Sequence, residues 1–180
     1  MASNYASVIG AHAYFLRDGQ TVDSVTVSSS VKPDVDPESN WTDDSLGIIN
    51  SFQPIVNQQT EEIWGSSPAI MERQDIIVKR KQFDCVLGLE QVNHNVFDML
   101  LGATANAASF VPGGQNTPVK GWLKVQLYRQ PSSLISVFDL WCVLETQGNP
   151  TMTKGQVFRP SIIAKGMSNA LNTGLKQNLS

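Results

Sequence analysis

Of the side chains that carry out chemistry, this sequence holds two histidines, His12 and His94, two cysteines, Cys85 and Cys142, and a few adjacent carboxylates. A zinc site draws on closely spaced Cys and His ligands, in patterns such as C-x-x-C or H-x-x-x-H. These four residues offer no such spacing. The acid pairs Asp43-Asp44 and Glu61-Glu62 are sequence neighbours. On a strand, neighbours point to opposite faces, whereas paired-acid catalysis needs carboxyls that converge in a cleft. There is no G-x-S-x-G elbow, no P-loop and no G-x-G-x-x-G turn. The expectation is a protein with no catalytic, metal-binding or cofactor-binding residues, and so not an enzyme.

Aromatic residues next to charge give a different signal. Trp41 stands beside Thr42-Asp43-Asp44, and Trp64 follows Glu61-Glu62. Aromatics flanked by polar residues are common anchors of protein interfaces. Trp41, Asp43, Asp44, Glu61, Glu62 and Trp64 are therefore the candidate subunit-interface residues. Trp122 and Trp141 lie inside strand patterns, where core or subunit-facing packing is expected. Charged residues make up 16% of the chain, below the roughly 25% usual for globular domains. Ser, Thr, Asn and Gln take their place, which suits broad surfaces that meet other protein. The formal net charge is −3, which argues against a chain built to grip phosphates. The basic cluster Lys79-Arg80-Lys81 reads as a solvated strand end, with a phosphate contact as the sharper alternative.

The elements that must position these residues are mostly of period two. In Gly121–Arg129, Leu123, Val125 and Leu127 face one way, and Trp122, Lys124, Gln126 and Tyr128 the other. That is a half-buried strand whose polar, aromatic outer face is available. Lys81–Glu90 places Phe83, Cys85, Leu87 and Leu89 on one side, after a short apolar lead-in at Ile76–Lys79. Ser133–Glu145 is apolar on both faces and needs a second covering layer, part of which a further subunit could supply. Further strands are predicted at Ala11–Arg17, Asp23–Ser30, Leu46–Ile55 and Gly155–Lys165, the last split by Pro160. The polar run after Ile55, ending at Trp64, reads as an acidic, aromatic-tipped loop. One short helix is predicted, capped by Asn93 or Asn95, carrying Val96, Phe97, Leu100 and Leu101, and closed by Gly102. So short a helix must dock on the sheet.

Residues 31–45 and 103–118 read as long loops, a length that usually signals function or disorder. Residues 1–165 read as one mainly β domain and 166–180 as a C-terminal tail or arm. No stretch approaches the ~18 apolar residues of a membrane span, so no membrane insertion is expected. The first residues lack a basic segment followed by a long apolar one, so no secretory signal is expected. Two cysteines in apolar strand patterns read as buried free thiols of a protein folded in a reducing cytoplasm.

The stretch VKPDVDPESNWTDDSLGIINSFQP resembles the N-terminal signature of tailed-bacteriophage tail tube (major tail) proteins, in which Lys-Pro leads through Asn-Trp-Thr to a Leu-Gly strand. The resemblance continues through EEIWGSSP, DIIVKRKQFDCVLGLEQ and NVFDMLLG, covering about residues 30–102. Beyond that it rests on strand pattern alone. It implies an antiparallel β-sandwich or barrel-like domain with one short packed α-helix and long inter-subunit loops. It further implies six subunits per ring and rings stacked into a hollow virion tail tube, assembled in the bacterial host cytoplasm. The implied partners are further copies of the chain, other tail proteins such as the tape measure and the terminator, and genomic DNA that passes without tight binding. Lys124, Gln126 and Tyr128 are then possible lumen-facing residues. Asp43-Asp44 and the amide-rich run at 57–59 depart from the family pattern. A soluble β-sandwich module that binds carbohydrate or another ligand, with Trp41 and Trp64 as stacking platforms, is the alternative.

Overall fold

Alternating apolar and polar residues give strands wherever one side has a core to face, and six such strands close on themselves. The computed structural model describes residues 10–22, 24–32, 45–66, 71–90, 96, 104–106, 109–111, 119–129, 133–148, 151, 153–167 and 176–179. Its strands are β1 (Gly10–Arg17), β2 (Thr21–Val22), β3 (Val25–Thr26), β4 (Ser45–Ser66), β5 (Met71–Leu89), β6 (Thr104–Asn106), β7 (Ser109–Val111), β8 (Val119–Arg129), β9 (Ser133–Thr146), β10 (Ser161–Gly166) and β11 (Lys176–Leu179). The main sheet runs β10-β5-β4-β1-β8-β9, and β10 also pairs with β9, so the sheet closes into an antiparallel barrel. Closure leaves these strands without free edges over the paired stretch.

The barrel is filled by side chains rather than hollow, as expected at this strand number. Ala13, Phe15, Leu87, Leu89, Leu123, Val125, Leu140, Cys142, Leu144, Ile162 and Ala164 form its core, with Phe52, Phe83, Leu127 and Phe138 half-buried at the margin. Gly121 is required by close approach, because a Cβ there would lie 2.0 Å from the carbonyl oxygen of Leu16.

A second cluster lies outside the barrel wall. Tyr14, Leu16, Trp122 and Trp141 pack against Val22 and Val27, with the two indoles 5.5 Å apart. Trp122 Nε1 donates to the Ser28 carbonyl at 2.9 Å. The layer over this part of β8 and β9 therefore comes from Val22, Val27 and Ser28 of the same chain. This corrects the half-buried reading of β8: its outer-facing Trp122, Lys124 and Gln126 are buried too. For Trp122 and Lys124 the reason is a segment distant in sequence, whose Val22, Val27 and Ser28 cover the indole and whose Lys32 shares Asp139 with Lys124. The predicted strand Asp23–Ser30 is also corrected. Ser24, in the left-handed region at φ 66°, breaks it into the small β2–β3 hairpin.

The other departures concern length. Leu46–Ile55 is the beginning of a strand that runs to Ser66, and the lead-in at Ile76–Lys79 lies inside one continuous strand with Lys81–Glu90. Of Gly155–Lys165, only the part after Pro160 is strand. The 103–118 region contains the β6–β7 hairpin, and within 166–180 the backbone of β11 pairs with β9. Of the predicted helix only Val96 is among the described residues, and it is buried in the barrel core.

Candidate interaction arm

β4 and β5 begin as two walls of the barrel and then leave it together. β4 pairs with β1 only as far as Ile49, and β5 pairs with β10 only from Asp84 onward. Among the described residues, the two strands beyond Ile55 and Asp84 pair only with each other, as far as Ser66 and Met71. At the usual rise per residue this ribbon is roughly 35 Å long. Pro54 is tolerated at its base because β4 has no second neighbour there to receive an N–H.

Cross-strand partners share a face. Phe52 with Leu87 and Val56 with Phe83 continue the barrel's inner face onto the arm. Beyond them, Thr60 pairs with Val78, Glu62 with Ile76, Trp64 with Arg73 and Ser66 with Met71. Val56, Val78, Ile76, Trp64 and Met71 thus form an apolar stripe that extends the core face into solvent. Each is between 47 and 63% exposed. Ile63 and Ile77 stand exposed on the opposite face. The register shifts at Gln59/Thr60 and Ile63/Trp64 each leave one extra residue in β5, Lys79 and Gln74. Such bulges increase local twist.

The arm's charges are balanced internally. Glu61, Glu62, Glu72 and Asp75 oppose Arg73, Lys79, Arg80 and Lys81, for a formal sum of zero. Glu61 pairs with Lys79 at 2.6 Å and Glu62 with Arg73 at 2.9 Å, all four side chains exposed. The basic cluster therefore lies at a bulge in mid-strand rather than at a strand junction, with Arg80 donating to Gln82 at 2.9 Å. Exposed pairs of this kind contribute less than about 1 kcal/mol each. They neutralise four of the ribbon's exposed charges against one another.

The root is fixed more firmly. Asp84, buried, accepts the Gly166 backbone N–H at 3.0 Å and the Gln82 amide at 3.1 Å, with Asn57 Nδ2 at 3.4 Å. Gly166 is needed there, since a Cβ would meet the Phe83 carbonyl oxygen at 2.1 Å. One carboxylate thus joins β4, β5 and β10 at the point where the arm departs.

No protein-family model matches the sequence, and neither does any curated protein. What the site can do must follow from its own geometry. Among the described residues no group of three or more Cys, His, Asp or Glu could hold a metal ion. Cys85 and Cys142 are both buried in the barrel core. Burial, with the neighbouring Asp84 carboxylate, pushes the Cys85 thiol up to about 12. Cys142 is raised chiefly by burial as well. Both remain thiols at neutral pH and are poor nucleophiles.

Of the sequence-predicted interface residues, Glu61, Glu62 and Trp64 come together on the arm. Trp41, Asp43 and Asp44 lie outside the described residues. Lys124 and Gln126 are buried and Tyr128 half-buried, with the Tyr128 hydroxyl donating to Gln126 Oε1 at 2.5 Å. Lys124 sits 3.6 Å from Asp139, which also holds Lys32 at 2.5 Å, all three side chains buried. Sequence reasoning missed Val56, Ile76, Val78 and Met71 as surface residues and Asp84 as the root. The β-branched run Ile76-Ile77-Val78 was the available signal.

Proposed function

We propose that the chain is a structural subunit of a tailed-phage tail tube, assembling into rings, six subunits in each, that stack into the conduit for genome delivery. The observation that carries the reading is the arm. A two-stranded ribbon is at best marginally stable alone in water, and this one leaves an apolar stripe exposed along its whole length. Such a ribbon is accounted for by a protein surface that covers it. A second copy of the chain is the natural partner, since ring closure and stacking both reuse two different patches of one molecule.

The sequence resemblance over about residues 30–102 supports the same reading, and the arm lies within it. The neutral arm and the net charge of −3 fit a tube through which DNA passes without being held. Burial of Val96 in the core fits a helix near 93–102 docked on the barrel. In this reading the assembled tube meets tape-measure and terminator proteins in the virion tail, after assembly in the host cytoplasm.

Size-exclusion chromatography with negative-stain microscopy tests the proposal. Rings or tubes are expected as concentration rises. A monomer that persists at every concentration and salt condition overturns it.

A further inference from the structure

Among the described residues the arm carries an exposed apolar knob near its tip and an apolar cleft at its root. We infer that Trp64 and Met71 at the tip of one copy seat in the root cleft of the next, a head-to-tail contact that repeats along the assembly. This rests on the self-assembly reading above and adds to it the receiving surface.

The cleft lies where β4 parts from β1 after the Ala11–Ile49 pair while Gly10, the first residue of β1, still pairs with Tyr128 of β8. The wedge between them is lined by Ala11, Ile49, Phe52 and Leu127, with Asn50 and Ser51 at the rim, and has a volume of about 290 Å³. An apolar cavity of about 150 Å³ is enough to hold benzene, so an indole fits here. Among the described residues the lining carries no charged side chain. At the tip, Glu62 and Arg73, on the same face as Trp64, are paired with each other. The tip's apolar residues can therefore meet the cleft while Glu62 and Arg73 beside them stay paired with each other. An indole N–H needs an acceptor once buried, and Asn50 and Ser51 are the polar residues of the lining.

The contact is intermolecular by geometry. Tip and root are separated by roughly 35 Å of paired ribbon, which cannot fold back without breaking its own ladder. A knob and a hole on different parts of one molecule make a heterologous interface, which propagates as a closed ring or an open stack.

Cysteine crosslinking in the full chain tests the placement. Ser66→Cys marks the tip and Asn50→Cys the rim, both exposed positions. The native thiols are buried and do not compete. Under mild oxidation the double variant is expected to give a covalent ladder of trimers and larger species, and each single variant none. Dimers from Ser66→Cys alone, as abundant as the products of the double variant, would mean that tips meet tips and overturn the inference. Rings or tubes without a ladder overturn it while leaving self-assembly standing, and neither particles nor ladder removes both. Gly10→Phe provides a second test. Gly10 lines the cleft and has nothing within 4 Å of the Cβ position, so the barrel can accept the ring. Association roughly thirty-fold weaker, the size of a hot-spot loss, is expected with an unchanged melting temperature. Unchanged association overturns the inference.

Discussion

The same two strands, β4 and β5, behave oppositely over their two halves. Inside the barrel, Leu46, Ile49, Cys85, Leu87 and Leu89 are buried among the side chains of β1, β8, β9 and β10. On the arm, Val56, Ile76 and Val78 occupy the same inner face of the same ladder and are about half exposed. Backbone pairing is continuous across the boundary apart from the bulges. What changes is the neighbour: β1 and β10 pair with the first half and stop. Burial of apolar area therefore concentrates stability in the barrel, while the arm keeps its apolar area for contact with another molecule.

That contrast predicts a gradient of mutational effects. The largest is expected at Asp139, buried between Lys32 and Lys124. Its Oδ1 accepts no hydrogen bond, so the two ammonium groups are its electrostatic support. Asp139→Ala leaves buried ammonium groups without that carboxylate and should cost about 3–5 kcal/mol in denaturant unfolding. A loss below ~1 kcal/mol would show that the cluster is not part of the barrel's stability.

Leu87→Ala comes next. Leu87 is fully buried in the core, and its truncation should cost about 2–5 kcal/mol. Val78→Ala, nine residues earlier on the same strand and face, should change monomer stability by no more than about 0.5 kcal/mol. Equal effects at the two positions would erase the distinction between barrel and arm.

A third measurement uses pH. The Cys85 thiol is held up at about 12 in the folded state, chiefly by burial. The unfolded thiol ionises near its ordinary value of about 8.5. Above that value the unfolded chain releases a proton that the native barrel retains. Stability contributed by the neutral thiol is thus full below about pH 8.5 and is lost progressively as pH rises toward 12. Cys85→Ala should flatten this alkaline decline, and an unchanged slope would show that Cys85 does not govern it. At neutral pH both native thiols should resist a disulfide reagent until the barrel unfolds.

The smallest effects on the isolated chain, and the sharpest separation of the two regions, belong to the tip. Trp64→Ser should shift monomer stability by less than about 0.5 kcal/mol and weaken self-association by about 2 kcal/mol or more. Analytical ultracentrifugation and thermal melts measure the two separately. Glu62→Gln, which breaks only the exposed pair with Arg73, should cost no more than about 0.5 kcal/mol in either assay.

Strand identity was legible wherever one face had a core to meet. Leu123, Val125 and Leu127 mark β8, and Phe83, Cys85, Leu87 and Leu89 mark β5, because apolar residues at period two record the face turned to the barrel core. The arm was illegible for the converse reason. Asn57-Gln58-Gln59-Thr60 is solvated on both faces, so its side chains carry no alternation and read as loop. Only the opposing strand, paired from Met71 back to the barrel, makes it β-structure.

The mainly β architecture and the buried thiols were set by residue types and spacing, which are local properties. The tertiary structure alone decided that the sheet closes, that Lys124 and Gln126 are covered, and where Glu61, Glu62 and Trp64 stand. Closure depends on β10 meeting both β5 and β9, and the buried pair between Lys32 and Asp139 joins positions 107 apart in sequence. Such contacts are fixed by which distant segments pack together, and alternation along a single strand does not encode its neighbour.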